Sequence, residues 1–233
     1  MALRKKTRVR EAQLAFEALS IEGGLLSPDW LSRVAQLAAG AQTEPDYRIP
    51  KGLNLRDEIG RYWRIAQAHW NEFQAGQSHG AETGARAERF VLGLLRESFG
   101  FVSLVATAPI EFGDRSYPIS FSALAGRVPV VIAPAGSGLD TLSPAFGDGG
   151  RRRSAVGLAQ EFLNAADGAL WGVTCDGVTL RILRDNASLT RPAWIEVDVE
   201  RIFTEDRYAD FAGLWLLMHE TRFGGAEQPV TEC

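Results

Sequence analysis

Hydrophobic positions recur at helical spacing through the first 98 residues of the chain. These apolar stripes predict four helices, over 8–20, 28–39, 54–73 and 85–98. Ser27 and Asn54 are suitable N-caps, and Pro28 fits the first turn of the second helix. A polar segment at 41–53 and a glycine-containing segment at 74–84 separate the helices, and the second is the best candidate for a domain boundary.

After Gly100 the pattern changes to short apolar runs that are typical of strands. The predicted strands cover 101–106, 117–121, 128–133, 170–174, 178–183 and 194–198. Asp176-Gly177 is a hairpin turn signal, and the glycine- and proline-rich stretch 134–150 is predicted to be a loop. Further helices are predicted over 154–166, 200–203 and 207–220.

This order predicts an α+β or α/β fold, in which a mixed β-sheet is flanked by helices. The expected division is a helical subdomain over 1–75, an α/β domain over 84–223 and a tail over 224–233. No apolar run approaches the roughly 20 residues that cross a bilayer, and the basic N-terminus has no apolar run behind it as a secretory signal would. We therefore expect a cytoplasmic protein without a membrane segment.

The composition argues mildly against a protein that binds DNA through its overall charge. The chain has 25 basic and 29 acidic residues and a net charge of −4, so it is not a polycation. Cys175 and Cys233 are too few and too far apart for a disulfide framework or a zinc site. The three histidines suggest neither a metal cluster nor a catalytic triad, and the six tryptophans mostly occupy apolar stripes that predict core packing.

The last third of the chain contains a distinctive series of segments. It reads Gln160-Glu-Phe-Leu-Asn164, Leu170-Trp-Gly-Val-Thr174 and Asp176-Gly-Val-Thr-Leu-Arg-Ile-Leu-Arg-Asp185. The series resembles the "QEFLN…LWGLVTNG…LRLLRDN" signature ahead of the catalytic domain in large bacterial adenine-specific DNA methylases of restriction–modification and DISARM-type phage-defence systems. At Asp176 the family usually has Asn, and either residue suits a tight turn.

The resemblance implies a restriction-endonuclease-like domain of the PD-(D/E)xK type, with a degenerate site. It also implies that a methylase domain would use S-adenosylmethionine and an Asn-Pro-Pro-Tyr/Phe motif that holds the flipped adenine. That motif does not occur here. We therefore expect an N-terminal part or split subunit that has no cofactor of its own and does not methylate DNA alone, with DNA, the methylase domain and other defence-system subunits as partners.

Nuclease chemistry of this type needs an Asp at the end of one strand and a Glu-x-Lys on the next, so that carboxylates hold Mg²⁺. The candidate strand at 129–135 has neither an acid nor a lysine. The weak candidates are Glu111, Asp114, Asp140 and the helical Gln160. A non-catalytic DNA-binding or scaffolding domain is the favoured hypothesis. A divergent Mg²⁺ endonuclease and a module that docks other subunits through its helical front end remain as alternatives.

Two basic runs are candidates for contact with nucleic acid. Arg151, Arg152 and Arg153 precede a predicted helix, where backbone N–H groups can add to a phosphate site. Lys5, Lys6 and Arg8 lie in a basic N-terminus. Both runs also fit an ordinary solvated surface. Arg181 shares a strand face with Leu183, which favours a salt bridge inside the domain over contact with DNA.

Overall fold

A mixed α+β fold is built around one seven-stranded sheet. The computed structural model describes residues 16–78, 82–185 and 193–224. Within them the α-helices are α1 (Pro28–Ala35), α2 (Leu55–Ser78), α3 (Thr83–Gly93), α4 (Ala155–Ala165), α5 (Val199–Thr204) and α6 (Tyr208–Met218). A π-helical turn, Leu94–Ser98, extends α3, and 3-10 turns occupy Glu44–Tyr47 and Glu220–Phe223.

Eleven strands are formed by the described residues. They are β1 (Leu19–Glu22), β2 (Val105–Ala106), β3 (Ile110–Phe112), β4 (Arg115–Tyr117), β5 (Phe121–Ala123), β6 (Val128–Ile132), β7 (Ser143–Asp148), β8 (Arg151–Arg153), β9 (Trp171–Cys175), β10 (Thr179–Arg184) and β11 (Ala193–Asp198). The large sheet has the order β1-β11-β10-β9-β6-β5-β2. Among the strands of the described residues, only the β6–β9 pair is parallel, and α4 makes the crossover that a parallel pair requires. The β3–β4 and β7–β8 ribbons lie outside this sheet.

Alternating side chains give the sheet two apolar faces. Val173, Leu180 and Ile182 join a large cluster formed with α2, α3 and α6, whereas Leu183 joins a smaller cluster that includes Phe162 of α4. This is the period of two expected of a strand that is buried on both sides. The large cluster includes residues from both 16–75 and 84–223, so the two predicted ranges share one apolar core.

The first predicted helix is wrong at its C-terminal end. Leu19–Glu22 forms the edge strand β1, antiparallel to β11, and residues 8–15 of that prediction lie outside the described part. Leu19 and Ile21 alternate with polar neighbours, and this pattern satisfies a sheet edge better than a helix. The carboxylate of Asp210, only 2% exposed, accepts hydrogen bonds from the backbone N–H groups of Glu17 and Ala18 and holds the chain in this path.

Three predictions in the middle of the chain also need correction. Of the strand predicted over 101–106 only Val105–Ala106 is extended, since Gly100 has φ 79° and the chain then turns. The strand predicted over 117–121 is split between β4 and β5. The loop predicted over 134–150 contains β7, which pairs with β8. A Cβ at Gly147 of β7 would collide with the carbonyl oxygen of Arg151, so this glycine allows the two strands to approach.

Two predicted boundaries also differ: α1 ends at Ala35 rather than at 39, and α2 continues to Ser78, into the segment 74–84 that was predicted to be a loop. The remaining predicted elements are confirmed within a few residues. The strand over 128–133, the helix over 154–166 and the strand over 194–198 correspond to β6, α4 and β11. Asp176-Gly177 begins the turn between β9 and β10, and Gly177 has φ 88°. A local turn signal and a strong alternation therefore identify the sheet centre correctly.

Candidate functional site

The parallel strands β6 and β9 end side by side, at Ile132 and Cys175. Ligands commonly bind beyond the carboxyl ends of parallel strands. Here the edge is closed by Asp176, which is 1% exposed. Its Oδ2 accepts a hydrogen bond from Gly138 N at 2.9 Å, and its Oδ1 accepts from Val178 N and Thr179 N at 3.1 and 2.8 Å. The only buried carboxylate described at this edge is thus bonded to backbone N–H groups.

The weak nuclease candidates do not form a catalytic group. Glu111 lies on β3, where it accepts a hydrogen bond from Ser116 Oγ at 2.7 Å, and Asp114 is exposed in the β3–β4 turn. Asp140 precedes β7 and is bonded to Arg181 at 2.9 Å. Gln160 lies on α4 and donates to Asn164 Oδ1, while its own buried Oε1 has no partner within the described residues.

A metal cluster is not formed by the side chains that the structure describes, because no three His, Cys, Asp or Glu residues are grouped as ligands. The strand that would carry the Glu-x-Lys pair is β6, and its sequence is Val-Pro-Val-Val-Ile. Its antiparallel neighbour β5 is Phe-Ser-Ala. Neither strand offers the carboxylates with which Mg²⁺ is usually held.

Two members of the triple arginine run make contacts inside the domain. Arg153 is 4% exposed; its guanidinium donates to Ser116 O and lies 3.6 Å from Glu161. Arg151 pairs with the same Glu161 at 2.7 Å, and Arg152 is exposed. The first N–H groups of α4 are also occupied, because Ser154 Oγ accepts from Gly157 N and Leu139 O accepts from Val156 N. The N–H groups of Val156 and Gly157 are therefore already bonded within the domain, and phosphate contact by the arginine run stays a prediction.

The basic N-terminus is the other predicted nucleic-acid contact. Lys5, Lys6 and Arg8 lie outside the described residues. Charge is nevertheless distributed unevenly along the sequence: the first ten residues contain five basic and no acidic residues, whereas the remaining 223 contain 20 basic and 29 acidic. The first ten residues are therefore the part of the sequence with the highest density of positive charge.

Arg181 makes the predicted internal salt bridges. Its guanidinium contacts Glu196 at 2.6 Å and Asp140 at 2.9 Å, and it lies 4.9 Å from the centre of the Trp194 ring. Its side chain is 13% exposed. This arginine holds the loop after β6 against β10 and β11, and its charge is already compensated.

A cavity of about 300 Å³ lies between the β9–β10–β11 end of the sheet and the helices α1 and α6. Its walls are mainly aromatic and aliphatic, with four aromatic side chains: Trp30, Tyr47, Trp171 and Phe223. The polar lining consists of Gln42, Arg184 and Arg222, and no Asp or Glu lines the cavity. This combination of an apolar lining with a few polar groups is typical of small-molecule sites.

The two arginines of the cavity differ in their bonding. Arg222 lies 4.3 Å from the centre of the Tyr47 ring and donates to the carbonyl oxygens of Ala41 and Asp46, both at 2.7 Å. Arg184 lies 5.1 Å from the centre of the Trp171 ring, and its Nε is buried without a hydrogen-bond partner within the described residues. Trp171 Nε1 is likewise buried and unpartnered there. Arg222 therefore donates its hydrogen bonds to backbone groups of the cavity wall, whereas Arg184 has a donor that no described residue engages.

Electrostatics beside the cavity are positive. His219 is 7% exposed, and burial together with the charges of Arg222 and Arg48 lowers its pKa from 6.5 to about 4. Burial also raises the pKa of the Tyr47 hydroxyl, which donates to Leu216 O at 3.0 Å. Elsewhere, burial raises the pKa of the Cys175 thiol, so this cysteine is poorly suited to act as a nucleophile.

The cavity was not predicted from the sequence, although Trp171 and Arg184 both lie within the quoted signature-like segments. Their pairing across β9 and β10 follows from the register, in which Arg184 is opposite Trp171. Because directly opposite residues of an antiparallel pair lie on the same face, this register places both side chains on one face of the sheet. The contribution of Trp30 and Arg222 depends on long-range packing, which no local pattern indicates.

Three further observations concern membrane helices, exposed apolar side chains and similarity to known proteins. No helix within the described ranges is long and apolar enough to cross a membrane. Of the described residues in 16–75, Leu53 is the one large hydrophobic side chain that is exposed, so an apolar docking patch is not evident there. No family model, no curated protein and no solved structure matches this chain.

Proposed function

We propose that this chain is a non-catalytic, restriction-endonuclease-like domain that contacts DNA and accompanies an adenine-specific DNA methyltransferase of a restriction–modification or phage-defence system. The order of elements carries the proposal. The segments α3, β2, β5, β6, α4 and β9 follow one another as helix, three strands, helix and strand, with the β3–β4 and β7–β8 ribbons inserted. This is the layout that the resemblance implies.

The lack of carboxylates on β5 and β6 supports a non-catalytic role. Hydrolysis of a phosphodiester by Mg²⁺ requires side chains that hold the ion beside the attacking water. Asp176, the buried acid at the strand ends, uses its lone pairs on three backbone N–H groups. Moving it to a metal would leave those donors unpaired in the interior, at a cost of about 1–3 kcal/mol for each group.

DNA contact is assigned to the basic N-terminal segment. The remainder of the sequence is acidic on balance, and most of the arginines discussed above are paired with carboxylates or carbonyl groups. Five cationic side chains can neutralise several phosphates and give affinity that is independent of base sequence. Such a contact with bacterial DNA implies a cytoplasmic location.

A gel-shift titration with a 30-base-pair duplex at low salt tests the DNA contact. The test variant replaces Arg4, Lys5, Lys6, Arg8 and Arg10 with Gln. The charge-matched control replaces five exposed arginines of the described part with Gln, namely Arg56, Arg64, Arg89, Arg115 and Arg152. We expect wild type and control to shift the duplex and the test variant to lose at least tenfold in affinity. Equal binding by all three proteins would place the contact elsewhere, and no shift by wild type would reject it.

A divergent endonuclease is the competing function. We expect no nicking of supercoiled plasmid with Mg²⁺ or Mn²⁺, because the candidates Glu111, Asp114 and Asp140 are separately engaged or exposed. Nicking by wild type that disappears in Asp140→Ala or Asp114→Ala would overturn the non-catalytic role. The exposed Asp167→Ala is the control for contaminating nuclease, since its activity should match that of wild type.

A further inference from the structure

We propose that the cavity between α1, α6 and the β9–β10–β11 end of the sheet binds a small amphipathic anion, composed of one or two fused rings and a carboxylate. The inference is independent of DNA contact. It rests on the cavity volume of about 300 Å³, on the aromatic walls, and on a positive lining that contains no acid.

The positive charge of Arg184 favours an anionic ligand. Arg184 makes no ion pair with any described residue, and its guanidinium lies over the Trp171 ring. A partly buried guanidinium without an acceptor is unfavourable, because it loses water without gaining a hydrogen bond. A carboxylate supplies two acceptor oxygens in the geometry that a guanidinium prefers.

A second donor strengthens this assignment. Trp171 Nε1 and Arg184 Nε are both buried and unpartnered within the described residues, and both side chains line the same cavity. Most buried polar atoms in a protein interior have partners, and these two donors belong to a cross-strand pair of β9 and β10. A carboxylate bound at the Arg184 side chain would supply an acceptor that the described residues do not.

Size and wall chemistry select the apolar part of the ligand. A cavity of roughly 150 Å³ accommodates benzene in an apolar protein interior. The volume of about 300 Å³ found here therefore suits one or two fused rings. Trp30, Tyr47 and Phe223 provide aromatic surfaces against which a flat ring can pack.

Isothermal titration calorimetry of the full chain with 2-naphthoate tests the proposal, with 2-naphthylmethanol as the neutral analogue. We expect saturable 1:1 binding of naphthoate and binding at least about tenfold weaker for the alcohol, since a charged hydrogen bond contributes about 1.5–3 kcal/mol. Absence of naphthoate binding, or equal affinity for the two compounds, would overturn the assignment.

Two substitutions locate the ligand. Gly40 lines the cavity, has no positive φ, and a Cβ there would meet nothing within 4 Å. Gly40→Leu is therefore expected to fold normally and, by adding a side chain at the edge of the cavity, to weaken naphthoate binding. Gly168→Leu is the matched control, because its Cβ also meets open space but lies outside the cavity. Binding that is unchanged by Gly40→Leu in a folded protein would move the ligand elsewhere and refute the proposal.

The role of the guanidinium is tested separately. Arg184→Gln should weaken naphthoate binding at least tenfold while leaving the weaker affinity for 2-naphthylmethanol within about twofold. Arg64→Gln, an exposed arginine on α2, is the control. Thermal unfolding of each variant checks that the fold is retained. An equal loss for both compounds would indicate a merely structural role for Arg184 and would contradict its assignment as the anion partner.

Discussion

Asp176 is the residue on which the proposed non-catalytic role depends most. It is nearly inaccessible, and its carboxylate bonds to Gly138 N, Val178 N and Thr179 N. The side chain ties the loop after β6 to the β9–β10 turn. Its role follows from local turn chemistry, in which an Asp or Asn side chain accepts from N–H groups two and three residues ahead. The bond to Gly138 is not local and was not predicted.

Substitution of Asp176 tests this role. We expect Asp176→Ala to lower the free energy of unfolding by about 2–4 kcal/mol, because three buried N–H donors lose a charged acceptor. Asp176→Asn should cost less, about 1–2 kcal/mol, since Oδ1 is retained while the amide faces the Gly138 N–H. Urea denaturation measures both values, and Asp167→Ala serves as an exposed control. A full-size loss in Asp176→Asn would mean that negative charge, rather than hydrogen bonding, is the important property.

His219 gives the protein a defined response to acid. Its folded-state pKa is about 4, below the ordinary 6.5, so the unfolded chain binds a proton between these values and the folded chain does not. The contribution of His219 to the free energy of unfolding is therefore fully present above pH 6.5. It decreases as the pH falls towards 4, by up to about 3 kcal/mol. Measured unfolding free energies should lose this slope in His219→Asn. A slope of equal size in the variant would assign it to other groups.

At the scale of elements, strong alternation and turn signals predict the sheet centre, whereas close backbone approaches escape prediction. The β7–β8 ribbon illustrates the limit. Its sequence, Ser-Pro-Ala-Phe-Gly-Asp, is rich in residues that favour loops, yet it pairs with Arg151–Arg153. Long-range bonds stabilise it, including the donation from Arg153 to Ser116 O and from Ser116 N to Asp148. Tertiary contacts outweigh local propensity here.

Gly147 permits this pairing, and its substitution should disturb the ribbon selectively. A Cβ at Gly147 would strike the backbone of Arg151, which cannot rotate away as a side chain can. We expect Gly147→Ala to destabilise the fold by about 1–3 kcal/mol, with the largest rise in amide exchange within 143–153. Gly168→Ala, which meets open space, is the control. Unchanged exchange in the ribbon would contradict this explanation.

At the scale of the whole molecule, the sequence predicts a mixed sheet flanked by helices, and the structure confirms it. The edge strand β1 was not predicted, because its four residues are set by pairing with β11, about 175 positions away in the sequence. The acid-free β6 is visible in the sequence itself. The aromatic cavity is not, because its walls come from both ends of the chain.

The salt dependence of DNA affinity tests the proposed function most directly. Fluorescence anisotropy with a labelled duplex, measured from low to moderate salt, gives the slope of log affinity against log salt. Contact through the five N-terminal cations predicts a slope as steep as about −4.5 for wild type, and close to zero for the variant that lacks these charges. A wild-type protein that does not bind at low salt, or a variant with the wild-type slope, would contradict the account.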